Sequence, residues 1–182
     1  NSKFLANFKN INYEAKNVSE FKERTTNEFF GSIGLLADVN LKKIKGATEH
    51  FMTPKFLLKL SPGSMRKQEN GNKLTPLSAF NLNRIDDIRN YETGISGALG
   101  FDYEIKKGDS NFDLSIAQVI NKKENNKMAD ITSLNEKLSD LVGSSKYKVN
   151  KNLDIKYDFS IDQNYQDLNY NEISTTIKYD SM

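Results

Sequence analysis

Alternating apolar and polar residues dominate this chain, and the alternation predicts long β-strands. The clearest run covers residues 29–41, where apolar side chains take the odd positions and mostly small or polar ones the even positions. A second run covers residues 91–105. A period of two places successive side chains on opposite faces of a sheet. Each run therefore predicts a strand with one apolar face.

Shorter runs of the same kind bring the predicted total to about seven strands. They cover residues 11–15, 52–61, 112–116, 149–162 and 173–180. Gly108 lies in a polar turn between two runs and predicts a hairpin. Helical spacing is confined to residues 130–141, which predict a short helix or a structured loop. The polar stretches between runs predict two long loops, at about 62–90 and 120–146.

The length and chemistry of the runs favour a membrane-spanning sheet. A tilted strand needs about 9–11 residues to cross the hydrocarbon layer, whereas strands of soluble proteins average about five or six. In a barrel with a wet interior, charges are tolerated on the inner side only. The run near the C-terminal end fits this rule. Its predicted lumen-facing residues are Asp154, Lys156, Asp158 and Asp162, and its predicted lipid-facing residues are Ile155, Tyr157, Phe159 and Ile161.

The expected fold class is therefore all-β, an antiparallel meander of long strands forming part of a transmembrane β-barrel. Residues 1–182 are expected to form one partial barrel domain. An alternative stays open, because a soluble β-sandwich also alternates when its apolar face packs on a second sheet.

Composition narrows the possible chemistry. The 26 Lys and Arg residues nearly balance the 24 Asp and Glu residues, so bulk charge gives no reason to expect nucleic-acid binding. The chain has no Cys, which excludes disulfides and Cys-ligated metals. Its one His, His50, is predicted in a turn region, and neither a GxSxG elbow nor a phosphate-binding loop occurs. We expect no enzymatic activity, no cofactor and no metal site.

One segment carries a more specific signal than periodicity. Residues 83–94 read Asn-Arg-Ile-Asp-Asp-Ile-Arg-Asn-Tyr-Glu-Thr-Gly and lead directly into a predicted strand. Further landmarks follow one another in order along the chain: Thr53-Pro54-Lys55-Phe56, Leu60-Ser61-Pro62-Gly63, Leu74-Thr75-Pro76-Leu77-Ser78-Ala79-Phe80, Ser139-Asp140-Leu141-Val142-Gly143 and Asn171-Glu172-Ile173. Together they resemble the C-terminal barrel region of the LPS-assembly (organic solvent tolerance) family LptD. The chain departs from that family at Asp86, where a Gly is common, and at residues 117–121, where GQSYR is common.

The resemblance implies a role in assembling lipopolysaccharide into the outer leaflet of the Gram-negative outer membrane. It implies four kinds of partner: lipopolysaccharide, an LptE-like lipoprotein plug, periplasmic Lpt bridge components reached through an N-terminal domain, and outer-membrane lipid. About seven strands are fewer than the family's barrel needs, so we expect a fragment of a larger barrel. A passive porin-like barrel and a soluble extracellular β-sandwich binding module are the alternatives.

The resemblance also selects candidate site residues. They are Asn83, Arg84, Asp87, Arg89, Glu92, Gly94, Ser139, Asp140 and Gly143. Two interpretations apply to four of them: Arg84, Asp87, Arg89 and Glu92. They could contact phosphorylated sugar, since the Arg fork suits phosphate. They could instead pair with one another and hold a loop closed, which we favour because charge clusters near loops are usually intramolecular or solvated.

Overall fold

The computed structural model describes residues 1–18 and 23–178 and consists almost entirely of β-strands. Two short 3-10 turns, at Ser78–Phe80 and Asp130–Thr132, interrupt the connecting loops. Within the described ranges, no helix has the length and apolar character needed to cross a membrane. Nine strands occur there: β1 Ser2–Tyr13, β2 Thr26–Asp38, β3 Leu41–Lys45, β4 Thr48–Ser61, β5 Gly94–Lys107, β6 Ser110–Asn121, β7 Leu141–Asn150, β8 Leu153–Ile161 and β9 Leu168–Ile177.

The strands form one antiparallel sheet in which chain neighbours pair. The order is β1-β2-β4-β5-β6-β7-β8-β9, and the short β3 pairs with the first part of β4. Five of the nine strands have 12 residues or more, and β7 and β9 have 10 each. The predicted all-β antiparallel meander of long strands is confirmed.

The connections differ between the two ends of the sheet. Tight turns at one end include Gly46 and Gly108, which adopt φ angles of 60° and 56° that favour glycine. Residues 62–93 and 122–140 connect strands at the opposite end. These two long segments fold back over the sheet, and we call them together the cap.

Some sequence expectations were wrong in detail. Strand β7 was not predicted, because Gly143, Ser144 and Ser145 dilute its apolar alternation. A turn after Asn150 separates β7 from β8, although the prediction joined Val149 to the run that follows. Residues 130–141 form a structured loop with a single 3-10 turn instead of a helix. Tyr179 and Asp180, placed in the last predicted strand, lie outside the described residues.

His50 also differs from its expected place in a turn. It lies within β4, and its Nδ1 is 2.8 Å from the Tyr103 hydroxyl on the neighbouring β5.

The cap packs on one face of the sheet, which we call the inner face. Pairing aligns Leu57, Ala98 and Val119 across three strands of this face, and all three are buried. Within the alternating run 52–61, Leu57 is the one apolar exception at the odd positions, which otherwise carry polar side chains. The structure explains the exception, because cap side chains cover it. The core between cap and sheet comprises Leu57, Met65, Leu74, Ala79, Leu82, Ile85, Ala98, Ala117, Val119, Met128, Leu134 and Val142.

The opposite face, the outer face, is apolar and exposed. Among the described strands other than β3, Lys107 at the end of β5 is the only charged residue at an outward position. Large apolar side chains there are open to the surroundings, including Phe8, Ile33, Leu58, Leu99 and Ile173. The described chain places no second layer on them. A contiguous apolar surface of this extent marks contact with lipid or with another protein.

Candidate functional site: a buried ion cluster beneath the cap

Three charged side chains meet beneath the cap. Arg84 and Glu92 come from residues 62–93 of the cap, and Lys59 comes from β4. Arg84 Nε donates to both Glu92 oxygens, at 3.1 Å to Oε1 and 2.9 Å to Oε2, and its Nη2 also contacts Oε1. Lys59 Nζ lies 2.7 Å from the same Oε1. One carboxylate thus serves two cations.

Local geometry brings these groups together. Alternation along β4 places Lys59 on the inner face, two residues after Leu57 and directly opposite Ser96 of β5. Arg84 Nη2 donates to the Ser96 hydroxyl at 2.8 Å, which attaches the cap to the sheet. Asn83 shapes the loop between Arg84 and Glu92, because its Oδ1 accepts the Glu92 backbone N–H at 3.0 Å.

Burial makes this cluster electrostatically strong. The Lys59 and Arg84 side chains are each 1% exposed, and that of Glu92 is 6% exposed. Burial alone would raise the pKa of Glu92, but the charges of Arg84 and then Lys59 lower that pKa to about 2. Glu92 is therefore ionised at neutral pH. Taking the Glu92 charge away would leave two cations without a counter-charge and out of contact with water.

The four charged motif residues do not form one network. Arg84 and Glu92 belong to the buried cluster, whereas Asp87 and Arg89 pair near the surface, with Arg89 Nε 3.7 Å from Asp87 Oδ1. A separate bond anchors this second part of the motif. Lys9 Nζ of β1 donates to the backbone oxygens of Asp87 and Asn90, at 2.6 and 2.9 Å. The motif therefore attaches to β1 as well as to β4.

Tyr91 has a role that the sequence did not indicate. It was predicted as the first residue of a strand, but it lies before β5 and is 1% exposed. Its hydroxyl is 2.6 Å from the Ser32 hydroxyl of β2, and its ring stacks on Phe30 with centroids 5.9 Å apart. Tyr91 thus fixes the cap to β2. Lys59 was likewise missed as a cluster member. Its only sequence signal was a charge two residues after Leu57, in the middle of an alternating run.

The second family segment joins four strands. Ser139 is fully buried, and its Oγ accepts the Val119 backbone N–H at 2.9 Å. Asp140 Oδ2 accepts hydrogen bonds from Ser160 Oγ at 2.6 Å and from Asn169 Nδ2 at 3.0 Å. These contacts connect the start of β7 with β6, β8 and β9.

The two motif glycines have structural reasons of their own. Gly94 begins β5 with φ of 121°, a conformation that side-chain-bearing residues avoid. At Gly143, an added Cβ would lie 2.1 Å from Cζ of Phe159, because that ring covers the glycine on the outer face. The Phe159 ring also stacks on Tyr157, with centroids 5.7 Å apart.

The residues predicted to face a lumen lie mostly on the inner face, beyond the cap. Asp154 Oδ2 is 3.5 Å from Lys146 Nζ of β7, and Asp158 Oδ2 is 2.6 Å from Lys156 Nζ. Asp162 differs, since it follows the end of β8. Its Oδ1 accepts the backbone N–H groups of Gln166 and Asp167 in the turn, which lower its pKa. Those predicted to face lipid alternate with them on the outer face: Ile155, Tyr157, Phe159 and Ile161.

The charged and polar side chains described above attach the cap to the sheet. In the described part of the chain, no three His, Asp or Glu side chains are grouped so that they could hold a metal ion. The charged groups beneath the cap are bonded to one another and lie away from solvent. The sheet therefore offers one exposed, largely apolar face and one polar face partly filled by its own loops.

These features define an all-β protein built on a single meander of long strands, with loops folded over its polar face. The model of the family LptD, LPS transport system D, matches residues 11–182, and the chain belongs to this family. It is thus a component of the lipopolysaccharide transport system. A search of curated proteins gave no match.

Proposed function

We propose that this chain forms part of an outer-membrane barrel that inserts lipopolysaccharide into the outer leaflet of the Gram-negative outer membrane. The observation that carries the proposal is the difference between the two faces. Apart from Lys107 at the end of β5, the outer face of the described strands other than β3 carries no charge over lengths of up to 14 residues, which suits a hydrocarbon layer. The inner face carries paired charges, which suits a wet interior.

The difference between the two ends of the sheet supports one orientation of the barrel across the outer membrane. Outer-membrane barrels have short turns on the periplasmic side and long loops on the outside. By this rule the turns at Gly46 and Gly108 face the periplasm, and the cap folds inward from the cell surface. A saccharide could then pass through the polar interior, while acyl chains leave sideways into lipid where strands separate. Two strands can separate in this way when only a few of the hydrogen bonds between them break.

The family match also supports the partners. We propose an LptE-like lipoprotein plug in the lumen and periplasmic Lpt components that deliver lipopolysaccharide through an N-terminal domain. The part of the inner face beyond the cap, with Lys146 and Asp154, offers a polar surface for such a plug. The outer face contacts outer-membrane lipid.

The alternatives fit the observations less well. In a passive porin the interior stays open, but here the cap builds a hydrophobic core on the inner face. In a soluble sandwich the apolar face packs on a second sheet, and the described residues leave that face exposed.

The proposal is tested by charging one face at a time in the native gene. Ile155→Arg places a charge on the outer face of β8, and a lipid-facing charge costs up to about 2–4 kcal/mol at the bilayer midplane and less towards the interfaces. We expect a several-fold loss of membrane-assembled, heat-modifiable protein. The matched control, Lys156→Ala, changes the adjacent inner-face residue and should assemble normally.

Equal assembly of both variants would contradict the assigned faces. Complementation gives the functional arm of the test. The wild-type gene should restore surface lipopolysaccharide in cells depleted of their own LptD, and failure to do so would reject the proposed function.

A further inference from the structure

The outer face carries its few charges at one end of the sheet. Besides Lys107 of β5, the only charged residues at outward positions on the described strands are Lys43 and Lys45 of β3. All three are exposed cations, and all lie close to the tight turns at Gly46 and Gly108. We call them the outer lysines. We propose that the outer lysines bind the phosphate groups of anionic phospholipids in the periplasmic leaflet, an inference that rests on the proposed function.

Strand pairing brings the outer lysines into one group. Lys45 is paired with Thr48 of β4, and Thr48 is paired with Lys107 of β5, so the two lysines stand in one row across three strands. Adjacent strands lie about 4.8 Å apart, which separates the two Cα atoms by about 10 Å. Lys43 stands in the next outward row, beside His50. Flexible lysine side chains at this spacing can reach one phosphate together.

The lysines on the inner face of the same strands are already paired. Lys42 Nζ of β3 lies 3.0 Å from Glu49 Oε1, and Lys106 Nζ of β5 lies 2.9 Å from Glu104 Oε1. Among the residues that the structure describes, none forms an ion pair with an outer lysine. The positive charge of the outer lysines is therefore available to an anion from the surroundings.

The outer face has the layered order of a membrane–water boundary. Along β5, the apolar Phe101 is followed on this face by Tyr103, and Lys107 lies four residues beyond Tyr103. The Tyr103 hydroxyl is 2.8 Å from His50 Nδ1 of β4. Aromatic rings with a polar end mark the headgroup level of a bilayer, and lysines extend their ammonium groups from there towards phosphate. In the orientation proposed above, this level belongs to the periplasmic leaflet, where anionic phospholipids attract clustered lysines.

Protection of a sheet edge is a different interpretation of two of these lysines. Within the described sheet, β3 pairs only with β4, and lysines on an edge strand discourage pairing with another chain. That role suits Lys43 and Lys45. It does not explain Lys107, because β5 pairs with strands on both sides. The row that joins an edge strand to an internal strand therefore favours a ligand.

Photo-crosslinking in living cells tests where the phospholipid lies. A photoreactive amino acid replaces Thr48, between Lys45 and Lys107, in the native gene, and Leu60 at the opposite end of the outer face of β4 is the control position. Heat-modifiable migration first verifies that each variant assembles. After irradiation we expect adducts of anionic phospholipid that are several-fold stronger at Thr48 than at Leu60. Equal phospholipid adducts at both positions would overturn the site, as would lipopolysaccharide, another protein or no adduct at Thr48.

A second arm tests the charge. Native mass spectrometry of the full-length protein, purified in detergent, compares the retention of phosphatidylglycerol with that of phosphatidylethanolamine. We expect the wild type to retain several-fold more phosphatidylglycerol. The triple variant Lys43→Gln, Lys45→Gln, Lys107→Gln should lose this preference several-fold, because it lacks the unpaired cations. The matched control, Lys42→Gln with Lys106→Gln, changes the inner face of the same strands and should keep the preference. An equal preference in the triple variant and the wild type would overturn the site.

The phospholipid site and the proposed function fail in different ways. Wild-type protein that assembles in the outer membrane and restores surface lipopolysaccharide, yet retains both phospholipids equally, would overturn the site alone. Wild-type protein absent from the outer-membrane fraction would reject the membrane barrel and the site with it.

Discussion

Two lysines on one face of β4 have very different surroundings. Lys55 pairs with Asp102 of β5, and its side chain is 29% exposed. Lys59, four residues further along the same face, pairs with Glu92 and is 1% exposed. Both are Lys–carboxylate pairs on the same strand. The difference comes from the cap, which excludes water from Lys59 and reaches Lys55 only at its border through Phe80.

This difference shows that the cap, and not the sheet, decides what a charge contributes. A partly exposed pair is screened by water and stabilises a protein by only about 0–1 kcal/mol. A buried charge that loses its partner costs far more, because neither water nor another residue replaces the lost contact. The ion cluster therefore makes attachment of the cap cooperative, whereas the Lys55 pair is dispensable.

Removing the carboxylate from each lysine pair should give the largest difference between the buried and the partly exposed site. Glu92→Gln leaves Lys59 and Arg84 buried without a counter-charge, and we expect a loss of about 3–5 kcal/mol in the free energy of unfolding. Asp102→Asn should cost less than about 1 kcal/mol. Denaturant unfolding of the purified protein in detergent measures both values.

A double variant shows whether the cost comes from unpaired charge. Lys59→Met in the Glu92→Gln background removes one of the two stranded cations, so part of the lost stability should return. If Glu92→Gln and Asp102→Asn destabilise the protein equally, the cap does not exclude water from the cluster.

Acid should act on the same cluster without mutation. The pKa of Glu92 is about 2 in the folded protein, below its ordinary value of 4.5. A lowered pKa means that the folded state binds fewer protons, so its stabilisation is complete above pH 4.5. It is lost progressively as the pH falls from 4.5 towards 2. The hydrogen-exchange protection factors of residues 84–92, which correct for the intrinsic slowing of exchange in acid, should therefore fall below pH 4.5.

The Glu92→Gln variant supplies the control for the acid experiment. It lacks the titrating group, so the acid-dependent part of its exchange in residues 84–92 should be smaller than in the wild type. An identical pH profile in the two proteins would show that another group controls the attachment of the cap.

The alternation of the sequence was sufficient to predict the sheet, because period two is a local property. It identified β2, β4, β5 and β8 and separated Ile155 from Lys156. The ion cluster depends on contacts between distant residues. Lys59 meets Glu92 only after 33 further residues fold back, and no local pattern encodes that return. Strand β7 was missed because Phe159, on the next strand, supplies the bulk that Gly143 lacks.

The smallest expected effect concerns the fit between cap and sheet. At Gly34 on the inner face of β2, an added Cβ would lie 2.6 Å from Leu82 Cδ2 of the cap and 3.0 Å from the Leu58 backbone oxygen. Gly34→Ala should cost about 1–3 kcal/mol in unfolding free energy, the usual range for overpacking. Gly97→Ala is the matched control, since its nearest neighbour, the Leu57 oxygen, would be 3.7 Å away.

Leu82→Ala identifies the source of the Gly34 effect. This variant removes the atom that the new methyl group meets, so the cost of Gly34→Ala should shrink in its presence. Residues in direct contact give such non-additive results, whereas distant residues do not. Additive costs would place the strain at the Leu58 backbone instead. The cap would then rest on β2 more loosely than the contact between Tyr91 and Ser32 requires.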